Sequence, residues 1–279
     1  MARIEALNIL TTDSGKEYLS ELYGKVIENV QKELTSSRMK NTDLSGSPTS
    51  GSVEAKRFVN AKTQEYGTAR EARKGNAVKA KPVIVAIDQD KEIVEELEQK
   101  DISLYGVDGV LERRARNHVQ MLANELDRAF YAEAYTAAEN SVTIDDTLSI
   151  AENLETVIQQ CENLQSDFVD GVPRSMMNLV CCTEYYGKIR NDLDKQQNSN
   201  VDTAAETFER WHGVKTFSSI HLPKGCKFMI IVDGAVAQPV MAEQYTAEKI
   251  GLSQAYGVSL FFHYGTKAVM PDLIFKVGE

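Results

Sequence analysis

The sequence predicts an α+β fold built around one long helix. Three observations carry that expectation. From Val107 to about Ala138 apolar residues return with the 3.6-residue period, and neither Gly nor Pro intervenes after Gly109. Residues 53–81 read as a two-stranded ribbon with a charged tip. Over the second half, short apolar runs alternate with helical patterns, as in α+β domains. With 279 residues the chain can bury a real core and divide into two lobes. Its 42% hydrophobic and 26% charged content is that of a globular protein.

The first element is a helical arm over residues 1–34. Ser14, with Glu17 three residues on, predicts a capping box. Leu19, Leu22, Tyr23, Val26, Ile27 and Val30 follow as an apolar stripe. The stripe needs a partner, and an arm cut off by a linker is expected to find it on another subunit. Residues 45–52, Ser-Gly-Ser-Pro-Thr-Ser-Gly-Ser, read as that linker by composition.

In the ribbon, Val53, Ala55, Arg57, Val59 and Ala61 alternate with Glu54, Lys56, Phe58 and Asn60. The return arm, Ala77 to Lys81, alternates Ala and Val with Lys. Both faces read as too polar to be buried, so the ribbon is expected to project. Isolated hairpins are marginal in water, so it should lie on something. Residues 82–88 read as a strand, followed at once by an acidic stretch. The long helix comes next, a rod of about 45–50 Å, well beyond the usual three to four turns, and it reads as a spine.

The second lobe begins after Asn140. A helix is expected after Asp145 and Asp146, then a strand Met176–Cys182 and a helix from Thr183 to about Lys195. Residues 196–200 read as a polar loop. Strands follow at Val214–Ile220 and Lys227–Asp233, then an extended apolar run Ala235–Met241. Closing strands are expected at Ala255–Tyr264 and Ala268–Val277, the latter interrupted by Pro271.

Charge is unevenly spread. The net charge is −10, yet residues 56–81 carry +6, leaving −16 on the remainder. The cations are Lys56, Arg57, Lys62, Arg70, Arg73, Lys74, Lys79 and Lys81. The acidic stretch holds Asp88, Asp90, Glu92, Glu95, Glu96, Glu98 and Asp101. A charge run is most often a solvated loop. Contact with nucleic acid would want stacking aromatics, and only Tyr66 is near. The sharper reading makes the cations inter-subunit contacts that dock on the acidic stretch of a neighbouring copy. Such head-to-tail contacts close into rings. Each exposed pair is worth only about 0–1 kcal/mol, so the charges would set register more than strength.

Catalytic signatures are missing: no Walker A, Rossmann glycine pattern, HExxH or GxSxG occurs. His118, His212, His221 and His263 fall on different elements, and His118 reads as a packed or surface histidine. Glu125 and Asp127, two apart on a helix, face away from each other and do not form a carboxylate pair. Cys161, Cys181, Cys182 and Cys226 contain no CxxC and read as buried free thiols in a reducing compartment. No catalytic residue, metal site or cofactor is expected. The N-terminus lacks a signal peptide's apolar core and no apolar run reaches a membrane span.

The ordered set of elements resembles the major capsid protein of tailed bacteriophages, the Hong Kong 97-type capsid fold. The run 53–67 is similar to that family's outgoing ribbon strand, 82–93 to its strand entering the peripheral domain, and 122–130 to its spine helix. Residues 233–240 are similar to its late axial-domain stretch and 257–277 to the return. The resemblance implies an N-terminal arm over 1–44, an extended loop over 45–81 and a peripheral domain over 82–139. It implies an axial domain over 140–250 and a return over 251–279. It further implies a virion protein, assembled in the host cytoplasm, whose hexamers and pentamers tile an icosahedral shell around double-stranded DNA without sequence-specific contact. Some members cross-link the loop to a neighbour; Lys62, Lys74 and Lys79 are candidate lysines, but no partner Asn or catalytic Glu aligns. About 40 residues precede the ribbon, fewer than a scaffold domain needs, so a separate scaffolding protein is expected, with portal and possibly decoration proteins and no membrane. Two alternatives are an encapsulin-type compartment shell and a nucleic-acid-binding protein using the basic ribbon.

Overall fold

The computed structural model describes residues 7, 9–72, 75–76, 78–98, 106–145, 147–195, 209–242, 245–251, 253 and 255–278. The predicted loop 196–200 and site residues Arg73, Lys74 and Asp101 lie outside them. The chain gathers into two compact units. One comprises 1–37, 87–129 and 239–265; the other comprises 38–86, 130–238 and 266–279. These boundaries differ from the five consecutive segments expected above, because each unit is assembled from three separate stretches of chain.

In the first unit the arm helix runs Asp13–Glu33. Its cap is Thr12, whose extended backbone frees the side chain to accept the Gly15 N–H at 3.3 Å. Ser14 is already inside the helix, so the capping box expected there does not form. Leu19, Leu22, Val26 and Val30 are buried as foreseen. Their cover is Leu111, Ala115, Val119 and Leu122 of the long helix Gly106–Ala137, in the same unit. The expectation of a partner on another subunit is thereby corrected: the periodicity says that a stripe must be covered, not by which chain.

Tyr256–Tyr264 is the central strand of this unit. Tyr256, Val258, Leu260, Phe262 and Tyr264 enter the core; Gly257, Ser259, Phe261 and His263 face the other way. Val240–Ala242 and Thr246–Lys249 pair along one side of it. Gln89–Leu97 pairs antiparallel along the other side, from Leu97↔Tyr256 to Gln89↔Tyr264. The acidic stretch is therefore largely an edge strand, and charge on an edge discourages strand addition.

The second unit centres on a mixed six-stranded sheet in the order Asn140–Val142, Ile274–Gly278, Cys226–Val232, Met177–Cys181, Val214–Ser218, Arg210–Trp211. Helices Ile150–Glu162 and Thr183–Lys195 and the long-helix residues Phe130, Tyr131 and Ala134 share its core. The first of these helices starts at Ser149 with a full capping box to Glu152. The apolar run Ala235–Met241 is not one strand. Val236–Ala237 pairs with Lys267–Ala268, whereas Val240–Ala242 belongs to the first unit's sheet. Pro239 between them has no N–H to continue a ladder.

The ribbon pairs Ser52–Phe58 with Ala80–Ala86, in the register Val53↔Val85 to Phe58↔Ala80. Residues 82–88 thus supply mostly the ribbon's return arm, and the return arm expected at 77–81 is displaced toward them. One face is buried after all at the root, where Val53, Ala55 and Val85 pack with Ala237 and Val269. Residues 45–52 are no linker. Leu44–Ser45 pairs with the outgoing arm, and Pro48–Ser50 forms a single helical turn. Gly46 and Gly51 take φ of 102° and 81°, conformations that cost a side-chain-bearing residue.

Candidate assembly surfaces

Beyond its buried root the ribbon is exposed, and Arg57 marks the boundary. Its guanidinium makes a two-pronged pair with Asp272, Nη1 to Oδ1 at 2.5 Å and Nη2 to Oδ2 at 2.8 Å, and lies 4.5 Å from the Phe168 ring centre. The planar guanidinium and carboxylate match well in this fork geometry. Just outward, the Val59 and Asn60 N–H groups donate to the Lys79 and Asp167 carbonyls at 3.0 Å each. Arg57 is therefore engaged within its own chain. Lys56, Lys62, Arg70, Lys79 and Lys81 are exposed. Lys56 stands 4.0 Å from Glu54, and Arg70 lies 5.9 Å from the Tyr66 ring centre. Asn76 bridges the tip by donating to the Lys62 carbonyl at 2.6 Å. Tyr66 is 94% exposed and Val78 87%.

On the edge strand the pleat sorts the acids into two sets. Asp90, Glu92 and Glu96 share the open face with Val94. Asp90 also pairs with His263 Nδ1 at 2.7 Å. Asp88 and Glu98, at the strand's two ends, are exposed. Glu95 points the other way, to Arg114 and His118. The sequence brought seven acids together as one docking stretch; the structure withdraws Glu95 into an internal network.

That network is built around a buried histidine. His118 is 3% exposed; its Nδ1 lies 2.6 Å from the Tyr245 hydroxyl and its Nε2 3.2 Å from Glu95 Oε2, off a good hydrogen-bond line. Burial holds His118 below the ordinary imidazole value and Arg114 adds to this, while Glu95 pulls it up. Arg114 holds the Glu95 carboxyl low. A depressed histidine favours the fold when neutral. Its contribution is complete above about pH 6.5 and is lost as pH falls toward the lower folded-state value. The urea midpoint should therefore drop between about pH 7 and pH 5.5, and His118→Gln should flatten that drop; an unchanged slope in the variant would remove His118 as its source.

Sequence reasoning missed three anchoring groups. Asp127, 3% exposed, accepts from the Thr35 N–H and hydroxyl at 3.1 and 2.8 Å and from the Ser36 N–H and hydroxyl at 3.2 and 2.6 Å. Asp272 holds Arg57. Arg174 binds Glu155, Glu162 and the His212 carbonyl, and holds the Glu155 carboxyl down to about 2. An acid or base in a polar run carries no sequence mark of a distant partner. Three of the cysteines are core residues: burial pushes Cys161 and Cys226 up to about 12 and raises Cys181 well above the ordinary thiol value, while Cys182 is half-buried. Among the described residues no cluster of metal-ligating side chains is present, and no helix is long and apolar enough to cross a membrane.

No family model matches the sequence, and no curated protein is significantly similar to it. Solved structures are. The capsid structure of the cyanophage P-SCSP1u superposes with a TM-score of 0.62 at 16% identity, covering 86% of each chain. A chain from Mycobacterium phage Che8 gives 0.58 at 20%, over 81% of this chain and 84% of that one. The chain has the Hong Kong 97-type capsid fold. A virus-like particle from Pyrococcus furiosus shares it, with a TM-score of 0.56 at 13% identity over 94% of this chain and 99% of that one.

Proposed function

We propose that this chain is the major capsid protein of a tailed phage. It assembles into hexamers and pentamers that tile an icosahedral head around double-stranded DNA, without sequence-specific contact. The observation that carries this reading is the match to the cyanophage capsid chain, and to a chain of a Mycobacterium phage, over more than four-fifths of both partners. An exposed, positively charged ribbon and an acidic open sheet face on one chain support self-assembly, since each is the complement of the other. Scaffolding, portal and decoration proteins would be separate chains, and assembly would take place in the host cytoplasm. The regions 82–139 and 140–250 would serve as peripheral and axial domains.

A second reading, an encapsulin-type compartment shell, draws on the nearly end-to-end coverage of the Pyrococcus furiosus particle chain. Fold by itself does not choose between two uses of one shell. Negative-stain microscopy of the purified chain, with the particle contents analysed, tests both. Rings or closed shells are the expected result, with enclosed DNA in infected cells for the phage reading and enclosed enzyme for the compartment. Monomers at every concentration, or a chain that binds DNA in a salt-dependent way and never closes, would overturn the shell.

A further inference from the structure

A row of residues runs side by side across the six-stranded sheet, in the order Arg210, Lys215, Asn178, Ile231, Ile274. Neighbours in such a row put their side chains on one face. Asn178 is fully buried, and so are Ile231 and Ile274 beyond it. Asp233 follows next but one after Ile231. Its N–H donates to the Met176 carbonyl at 2.9 Å, which fixes it at the strand's end. An amine and an amide are thus adjacent where the core meets solvent, with a carboxylate beside them.

The carboxylate touches both. Asn178 Nδ2 donates to Asp233 Oδ1 at 2.7 Å and to the Ile231 carbonyl at 3.0 Å. Lys215 Nζ donates to Asp233 Oδ2 at 3.3 Å, and these two side chains are 28% and 32% exposed. Asn178 Oδ1 accepts nothing from the described residues, although it is buried. Orphaned buried polar atoms are uncommon, and a chemical role is one reason for them. An ion pair alone accounts for Lys215 and Asp233. It does not account for a fully buried amide between Met177 and Leu179 in an otherwise apolar strand.

We propose that Lys215 and Asn178 of the same chain join through an isopeptide bond, with Asp233 as the proton carrier. Asp233 takes a proton from the Lys215 ammonium, and the freed Nζ attacks Asn178 Cγ. The flexible lysine stem closes the remaining gap. The Nζ–Cγ bond forms and the Cγ–Nδ2 bond breaks. Of the three ammonium protons, one stays on the new amide and two pass by way of Asp233 to Nδ2, which leaves as ammonium. Asp233 ends as the carboxylate it was, and nothing is oxidised or reduced. The bond ties Met177–Cys181 to Val214–Ser218 and closes the chain between them into a loop that unfolding does not open. The inference stands apart from the shell reading.

The test uses the full chain, purified folded and incubated at neutral and at mildly alkaline pH. Its intact mass is expected to fall about 17 Da short of the sequence value, the mass of one ammonia. Digestion should give a branched peptide that joins the segments around Asn178 and Lys215. Lys215→Arg keeps a cation beside Asp233 but offers no amine that can lose its proton. It should show the full mass with native circular dichroism; if that signal is lost, Lys215→Gln replaces it. Asp233→Asn should slow formation of the bond at least tenfold. Full mass in the folded, unmodified chain after prolonged incubation at both pH values would overturn the proposal. So would a mass loss that persists in Lys215→Arg, since that would be an asparagine closing a ring on its own backbone. Neither result touches the shell reading.

Discussion

Asp127→Ala is expected to lower stability by about 3–5 kcal/mol, the cost of stripping a buried carboxylate from the donors it satisfies. The carboxylate accepts four hydrogen bonds from two consecutive residues, Thr35 and Ser36, just after the arm helix ends. Without it, two backbone N–H groups and the Ser36 hydroxyl lose their partner where Ser36 is fully buried, and buried donors left unpaired are costly. Asp127→Asn should recover little, because its amide presents two donors of its own to a cluster of donors. Urea denaturation checks this, with hydrogen exchange at Thr35 and Ser36 as the local readout. A loss under about 1 kcal/mol, the scale of an ordinary surface change, would show that water replaces the carboxylate without penalty.

Removing the Arg57–Asp272 pair should cost about 2–4 kcal/mol for either single alanine variant, because each leaves a largely buried charge without its partner. The two side chains are 11% and 21% exposed. Both variants together should cost less than their sum, so a double-mutant cycle isolates the coupling. Arg57→Lys should rescue poorly: an ammonium cannot make the paired fork to a carboxylate. The pair sits where the buried root of the ribbon gives way to its exposed length. The Asn60 N–H, donated to the Asp167 carbonyl, should therefore exchange faster in both variants while the Val53 to Ala55 ladder stays protected. Uniform loss of protection along the ribbon would mean that the root, not the pair, positions it.

The legible part of this protein is its periodic part. The long helix was foreseen at Val107 to about Ala138 and occurs at Gly106–Ala137, because a thirty-residue apolar stripe at helical spacing has no competing reading. The helix Thr183–Lys195 is legible from its start at Thr183-Glu184, and the strand at 177–181 from its short apolar run. The ribbon is legible as a ribbon, but its return arm, expected at 77–81, occurs at Ala80–Ala86. Its return arm carries Ile84, an exposed apolar residue whose type says "core" and whose position says otherwise. The candidate docking acids were read as one block because their spacing in sequence hides the pleat; pairing with Tyr256–Tyr264 sorts Glu92 outward and Glu95 inward.

Composition, periodicity and charge distribution by themselves determined the α+β class, the spine, the ribbon and the segregation of positive from negative segments. Each of these is a local property, written within a few turns or a few strand residues. Tertiary structure alone decided that the arm helix lies against its own long helix, that Asp127 and Asp272 hold residues far away in sequence, and that Phe58 and Ile84 stand on the ribbon's exposed face. Burial and pairing are relations between distant segments, and a side chain's type fixes what it needs without naming the neighbour that supplies it.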